Sequence, residues 1–170
     1  MTTSERVTPP MDADERTSLT SWLDFYRATL VDKCAGLTEE QLRTASAPPS
    51  PLTLVGLVRH LAEVERNWFR RVLAGEDVPD LFPGDAGADG MSGGFDGAGE
   101  ASSEDAVALW RAEVEHARRA CAGRSLDDTG SLGEGRVTLR WIHTHLIAEY
   151  ARHCGHADLI RERIDGRTGF

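Results

Sequence analysis

The chain contains one lysine, Lys33, among its 19 basic residues, and the others are arginine. It has three cysteines, Cys34, Cys121 and Cys154, none in a Cys-x-x-Cys pair. Their odd number and wide spacing argue against a disulfide framework and a structural zinc knuckle. No segment approaches the roughly 20 uninterrupted apolar residues of a membrane helix. The stretch MTTSERVTPPMDADERT is polar and acidic and lacks the apolar centre of a secretory signal, so a cytoplasmic protein is expected. Positive charge is in deficit: the formal net charge is −9, which argues against binding nucleic acid or an anionic membrane. There is no internal repeat and no strand-like alternation of any length.

What is present is helical periodicity. The 170 residues fit one domain, with 40% hydrophobic and 28% charged residues in an ordinary soluble balance. Residues 1–11 read as a flexible arm and 12–166 as the domain. A first helix is predicted from about Asp12 to Cys34, with Leu19, Trp22, Leu23, Tyr26 and Leu30 on one face. Thr38 and Gln41 form a capping-box pair for a short turn of helix, and SAPPS (46–50) is a turn. A second long helix runs from about Thr53 to Ala74, with Gly75 placed to end it. Glu76–Glu100, containing GDAGADGMSGGFDGAG, reads as a long flexible loop that could serve as a lid over a site. It lacks the closing glutamate of an EF-hand and follows no strand, so neither a calcium loop nor a phosphate cradle is indicated. A third helix spans Ser103 to Ala122, and Gly123–Gly135 is a second Gly-rich connection. The last helix runs from about Thr138 to Ile164 and stops at Gly166. The fold class is therefore all-α: a four-helix bundle with long Gly-rich connections.

The last helix, WIHTHLIAEYARHCGHADLIRERIDG, carries the informative residues. His145, Glu149 and His153 are spaced four apart, so each step turns the side chain by only about 40°. His156, seven after Glu149, returns to within about 20° of that direction. Ile142, Leu146 and Ile160 share the stripe, so three histidines and a carboxylate occupy an inward face. Burying a carboxylate alone costs several kcal/mol. A divalent cation would supply the missing charge and accept neutral imidazoles. His60, beside Leu57, Val64 and Trp68 on the second helix, is the best candidate for a ligand from elsewhere. His116 is expected on the solvent side of the third helix, and His143 points roughly 160° away from His145. The competing explanations are ordinary ones. His60 could be a satisfied core histidine, Glu149 could be held by Arg140 or Arg152, and the cluster could be a hydrogen-bonded polar core without metal.

The stretches SPLTLVGLVRHLAEVERNWF and LRWIHTHLIAEYARHCGHADLIRERIDG resemble the DinB-like four-helix superfamily. The nearest branch is the actinobacterial one of mycothiol-dependent S-transferases and maleylpyruvate isomerases. The resemblance covers about residues 12–166. It implies one divalent metal ion, zinc or nickel, held by His60, Glu149 and His153. A glutamate stands where many members carry the first histidine of a His-x3-His pair, so His145 or His156 is an alternative ligand or a neighbour of the site. It further implies that mycothiol, as co-substrate, is activated as a thiolate and attacks an electrophilic small molecule. Arg59, Trp68 and Arg152, and also Arg161, are candidate thiol or substrate contacts. Cys154 is a candidate ligand, reactive thiol or packing residue. A non-catalytic metal-binding or stress-response bundle is the alternative function. Trp22, Phe25, Trp110 and Trp141 exceed what one bundle core requires, a surplus that a homodimer through helix faces would absorb.

Overall fold

The computed structural model describes residues 6–82, 93–95 and 97–169. Five α-helices appear: α1 (Glu15–Cys34), α2 (Glu39–Leu42), α3 (Leu54–Glu65), α4 (Ser103–Cys121) and α5 (Leu139–Asp165). α3 continues without a break into a π-helical extension, Arg66–Leu73. The starts follow from local chemistry. Asp14, Thr38, Thr53, Ser102 and Thr138 each accept a backbone N–H with the side chain, satisfying donors that a helix start leaves open. Gly166 ends α5 at φ +77°, a conformation glycine adopts without a Cβ penalty.

One expectation is overturned. The connection before α5 is not a plain loop. Thr129–Leu132 (β1) and Gly135–Thr138 (β2) pair antiparallel. Each strand has four residues, too few for alternation to register in sequence, and glycines break what pattern there is. Gly133 opens the tight turn at φ +55°. The hairpin docks on the π-helical extension so closely that a Cβ on Gly130 would lie 2.1 Å from the Val72 carbonyl oxygen.

The four long helices form an incomplete ring. α1 packs on α5, α5 on α3 and α3 on α4, whereas α1 and α4 barely touch. Leu23, Leu30, Leu57, Leu61, Phe69, Leu139, Ile142, Leu146 and Ile160 fill the centre. Phe25 and Trp110 are buried within this chain, so they belong to its own core and not to the aromatic surplus. Trp22 and Trp141 remain about half exposed.

A polar brace crosses this apolar centre, with one residue from each long helix. Arg27 of α1 grips Glu65 of α3 in bidentate fashion, both bonds 2.8 Å. Tyr150 of α5 donates its hydroxyl to Glu65 at 2.8 Å, and Trp110 of α4 donates its indole N–H to that hydroxyl at 2.7 Å. Glu65 and Tyr150 are 0% exposed. Burial, followed by the Glu65 carboxylate, pushes the Tyr150 phenol well above its usual range, so it stays a donor. Burial works against the Arg27 charge, but Glu65 outweighs it and keeps the guanidinium charged.

His143 is buried against Phe69, with neither ring nitrogen hydrogen-bonded. Burial, helped by Arg27 and Arg16, lowers its pKa to about 4 from 6.5.

Two outcomes follow for stability. Arg27→Met strands the Glu65 carboxylate and should cost about 3–5 kcal/mol in urea unfolding, against about 1–3 kcal/mol for Tyr150→Phe. Equal, near-zero losses would contradict the brace. For His143 the unfolded imidazole takes a proton below pH 6.5, while the folded one resists until about pH 4. Stability is therefore lost as pH falls through that window, by about 2 kcal/mol at pH 5. His143→Phe should flatten that part of the stability–pH curve, and an unchanged slope would refute the assignment.

Candidate metal centre

His60 lies on α3, and Glu149 and His153 lie four residues apart on α5. Packing of α5 on α3 turns these side chains toward one another. One ligand atom from each lies within 4.8 Å of the other two. The His60 and His153 rings are 4.7 Å apart, and His153 Nε2 is 3.5 Å from Glu149 Oε2. His60 and His153 are buried, and Glu149 is 20% exposed by side chain.

Hydrogen bonds decide which imidazole nitrogens face the centre. His60 Nδ1 is 3.0 Å from the Gly93 carbonyl, which can only accept, so the ring donates there and Nε2 carries the lone pair. His153 Nδ1 meets His156 Nδ1 at 3.3 Å, while its Nε2 faces Glu149. A partner on the far nitrogen is the usual way a ligating histidine is oriented. Burial first, then the neighbouring His60, lowers the His153 pKa to about 3, so it is neutral at pH 7 with its lone pair available.

The sequence motifs did not single out the segment that holds His60. Phe95 stacks on the His60 ring at 4.5 Å, with 19° between planes. Gly94, at φ +105°, lies so close to α3 that a Cβ would come within 2.4 Å of the His60 backbone nitrogen. Composition marks this stretch only as glycine-rich. Residues 83–92 and 96, part of the expected lid, fall outside the described residues.

The other candidates are placed as follows. His145 Nε2 is 3.9 Å from Glu149 Oε1, beyond hydrogen-bond reach, and its ring stacks on Trp141 at 4.8 Å and against Trp68 at 4.7 Å. Burial outweighs Glu149 and lowers its pKa. Trp68 is buried behind this stack. Arg59 is buried, with its guanidinium 4.2 Å over the Phe82 ring. Arg152 is exposed beside His153. Arg161 is buried and spent on the carbonyls of Lys33 and Ala35 at the end of α1. Cys154 turns toward the Tyr26 carbonyl, and burial pushes its thiol up to about 12, so it is a packing residue. His116 faces Glu76 at 3.0 Å, away from the centre.

No arginine neutralises Glu149 among the described residues. Arg140 instead pairs with Glu15 and Asp127. The donor set is thus two imidazoles and one carboxylate. That matches the three-ligand layout which leaves a fourth position of a tetrahedral ion open. Donors around such an ion sit about 3.3 Å apart, so ligand atoms up to 4.8 Å apart need to close by up to about 1.5 Å.

Comparison with protein families matches the chain over residues 18–166 to the mycothiol-S-transferase family. The chain belongs to that family. A search among curated proteins finds no match. The mycothiol-S-transferase match takes in α1, α3, α4 and α5, hence every residue of the centre.

Gly94→Ala should displace the segment that orients His60. Zinc affinity, read by competition with a chromogenic chelator, should fall at least about 10-fold, the lower end for loss of a ligand's orienting partner. Unchanged affinity would show that Gly93–Phe95 play no part in the site.

Proposed function

We propose that this chain is a metal-dependent S-transferase of the cytoplasm. It would activate mycothiol as a thiolate, with one divalent ion, zinc or nickel, held by His60, Glu149 and His153. The observation that carries this reading is the convergence of those three side chains from two helices without an arginine counter-charge for Glu149. Charge arithmetic supports a thiolate ligand. A divalent ion offsets one carboxylate and retains one positive charge, which one thiolate cancels.

When bound, the ion supplies the positive charge that keeps a sulfur deprotonated at neutral pH. The chain's own groups do the rest. His153 stays neutral, and His60 and His153 are oriented through Gly93 and His156. Phe95 covers His60 and His153 with ring surface, and Trp68 and Trp141 pack on the neighbouring His145. In this reading Arg152, exposed and next to His153 in the chain, would take a carboxylate of the thiol, with Arg59 and Trp68 as supporting contacts.

The chemistry balances simply. The thiol loses its proton to bulk water, and the sulfur lone pair forms a C–S bond with the electrophilic carbon. The bond to the leaving group breaks, and that group departs with its electron pair. An epoxide oxygen would instead stay attached and take a proton from water.

His153→Ala should lower turnover of mycothiol with a reactive alkyl halide by more than about 100-fold, exceeding the loss typical of a group behind a ligand, and bound zinc should be lost with it. Arg152→Ala should raise KM for mycothiol more than it lowers kcat. Full activity in metal-free protein would contradict the proposal. Stoichiometric zinc without turnover of any electrophile would favour the non-catalytic alternative.

A further inference from the structure

The open seam of the ring lies between α1 and α4, across the bundle from the α3–α5 seam that carries the metal centre. It holds a cavity of about 750 Å³. Phe25, Ala28 and Val31 of α1 and Trp110 and Val114 of α4 form its apolar walls, and Val7 and Pro10 of the N-terminal arm close one side. A separate pocket of about 260 Å³, bordered by Leu23, Phe69 and His143, adjoins it at Asp24, Arg27 and Arg118, which line both. Volumes of this order suit a small organic molecule.

The charges along the cavity are mostly committed to one another. Arg27 is bound in bidentate fashion by Glu65 and also meets Asp24 at 3.0 Å. Arg118 bridges Glu115 at 2.6 Å and Asp24 at 3.2 Å. Arg111 is exposed on the wall and has no hydrogen-bond or ion-pair partner among the described residues. Arg111 thus stands above an apolar trough with its charge uncommitted among the described residues.

We propose that the α1–α4 seam is a binding site for a small amphipathic monoanion, a carboxylate on an apolar body. The carboxylate pairs with Arg111, and the body lies between Val31 and Val114. The site is separate from the metal centre and does not depend on it. Asp24 and Glu115 on the same rim exclude a polyanion, because each added negative charge would meet one of them.

Decanoate is the probe, added below its micellar concentration to the intact chain and followed by calorimetry and amide chemical shifts. The expected result is saturable one-to-one binding, with shifts confined to residues 21–31 and 110–118. Arg111→Gln, an exposed substitution, should weaken decanoate at least ten-fold while leaving 1-decanol unchanged. Ser21→Trp should block both by filling the trough, and His60→Ala should block neither. The proposal is overturned by absence of saturation, by shifts centred on His60 and His153, or by equal affinity in Arg111→Gln. It is also overturned if sedimentation shows a second copy of the chain covering the seam and excluding decanoate.

Discussion

The structure rests on the buried contact between Glu65 and its three partners. A carboxylate that is 0% exposed is tolerable only when its charge and lone pairs are taken up. Arg27, Tyr150 and, through Tyr150, Trp110 do this from the three other long helices. Apolar ridges would tolerate several offsets of one helix along another, whereas this set of bonds closes at one. Tyr150 follows Glu149 directly and precedes His153 by three residues on α5, and Glu65 follows His60 by five on α3. The alignment that satisfies the brace therefore also brings the two faces of the metal centre opposite each other.

The two open features of the bundle take different forms. On the α3–α5 seam two imidazoles meet a carboxylate that no arginine pairs with among the described residues, a cluster suited to a cation. On the α1–α4 seam the walls are apolar, Arg27 and Arg118 are paired with carboxylates, and Arg111 has no such partner among the described residues. The brace separates the two, so each seam keeps its own electrostatic character. Membership of the mycothiol-S-transferase family agrees with chemistry at the first seam. No helix among the described residues is long and apolar enough to cross a membrane.

Much of this was legible from local signals. Asp14, Thr53, Ser102, Thr138 and Gly166 mark helix ends through caps whose chemistry is local. The four-residue spacing of Glu149 and His153 puts them on one face wherever the helix is placed. The rest depended on distance. Arg27 and Glu65 are separated by 38 residues and Tyr150 and Glu65 by 85, so no window on the sequence connects them. The hairpin was hidden because Thr129–Leu132 and Gly135–Thr138 are too short for a period-two pattern. Gly94 looked like any other glycine in its loop, because the need for a missing Cβ arises only where the chain meets α3. His143 was read as pointing away from the stripe, which is correct, but its burial depends on Phe69 of a different helix.

X-ray absorption on the zinc-loaded, untagged chain, before and after mycothiol is added, tests the account most directly. Two imidazoles and one carboxylate at about 2.0–2.2 Å with one further light donor are expected at first, and a sulfur at about 2.3 Å in place of that donor afterwards. Zinc already held by four protein groups, or a spectrum that mycothiol leaves unchanged, would contradict it.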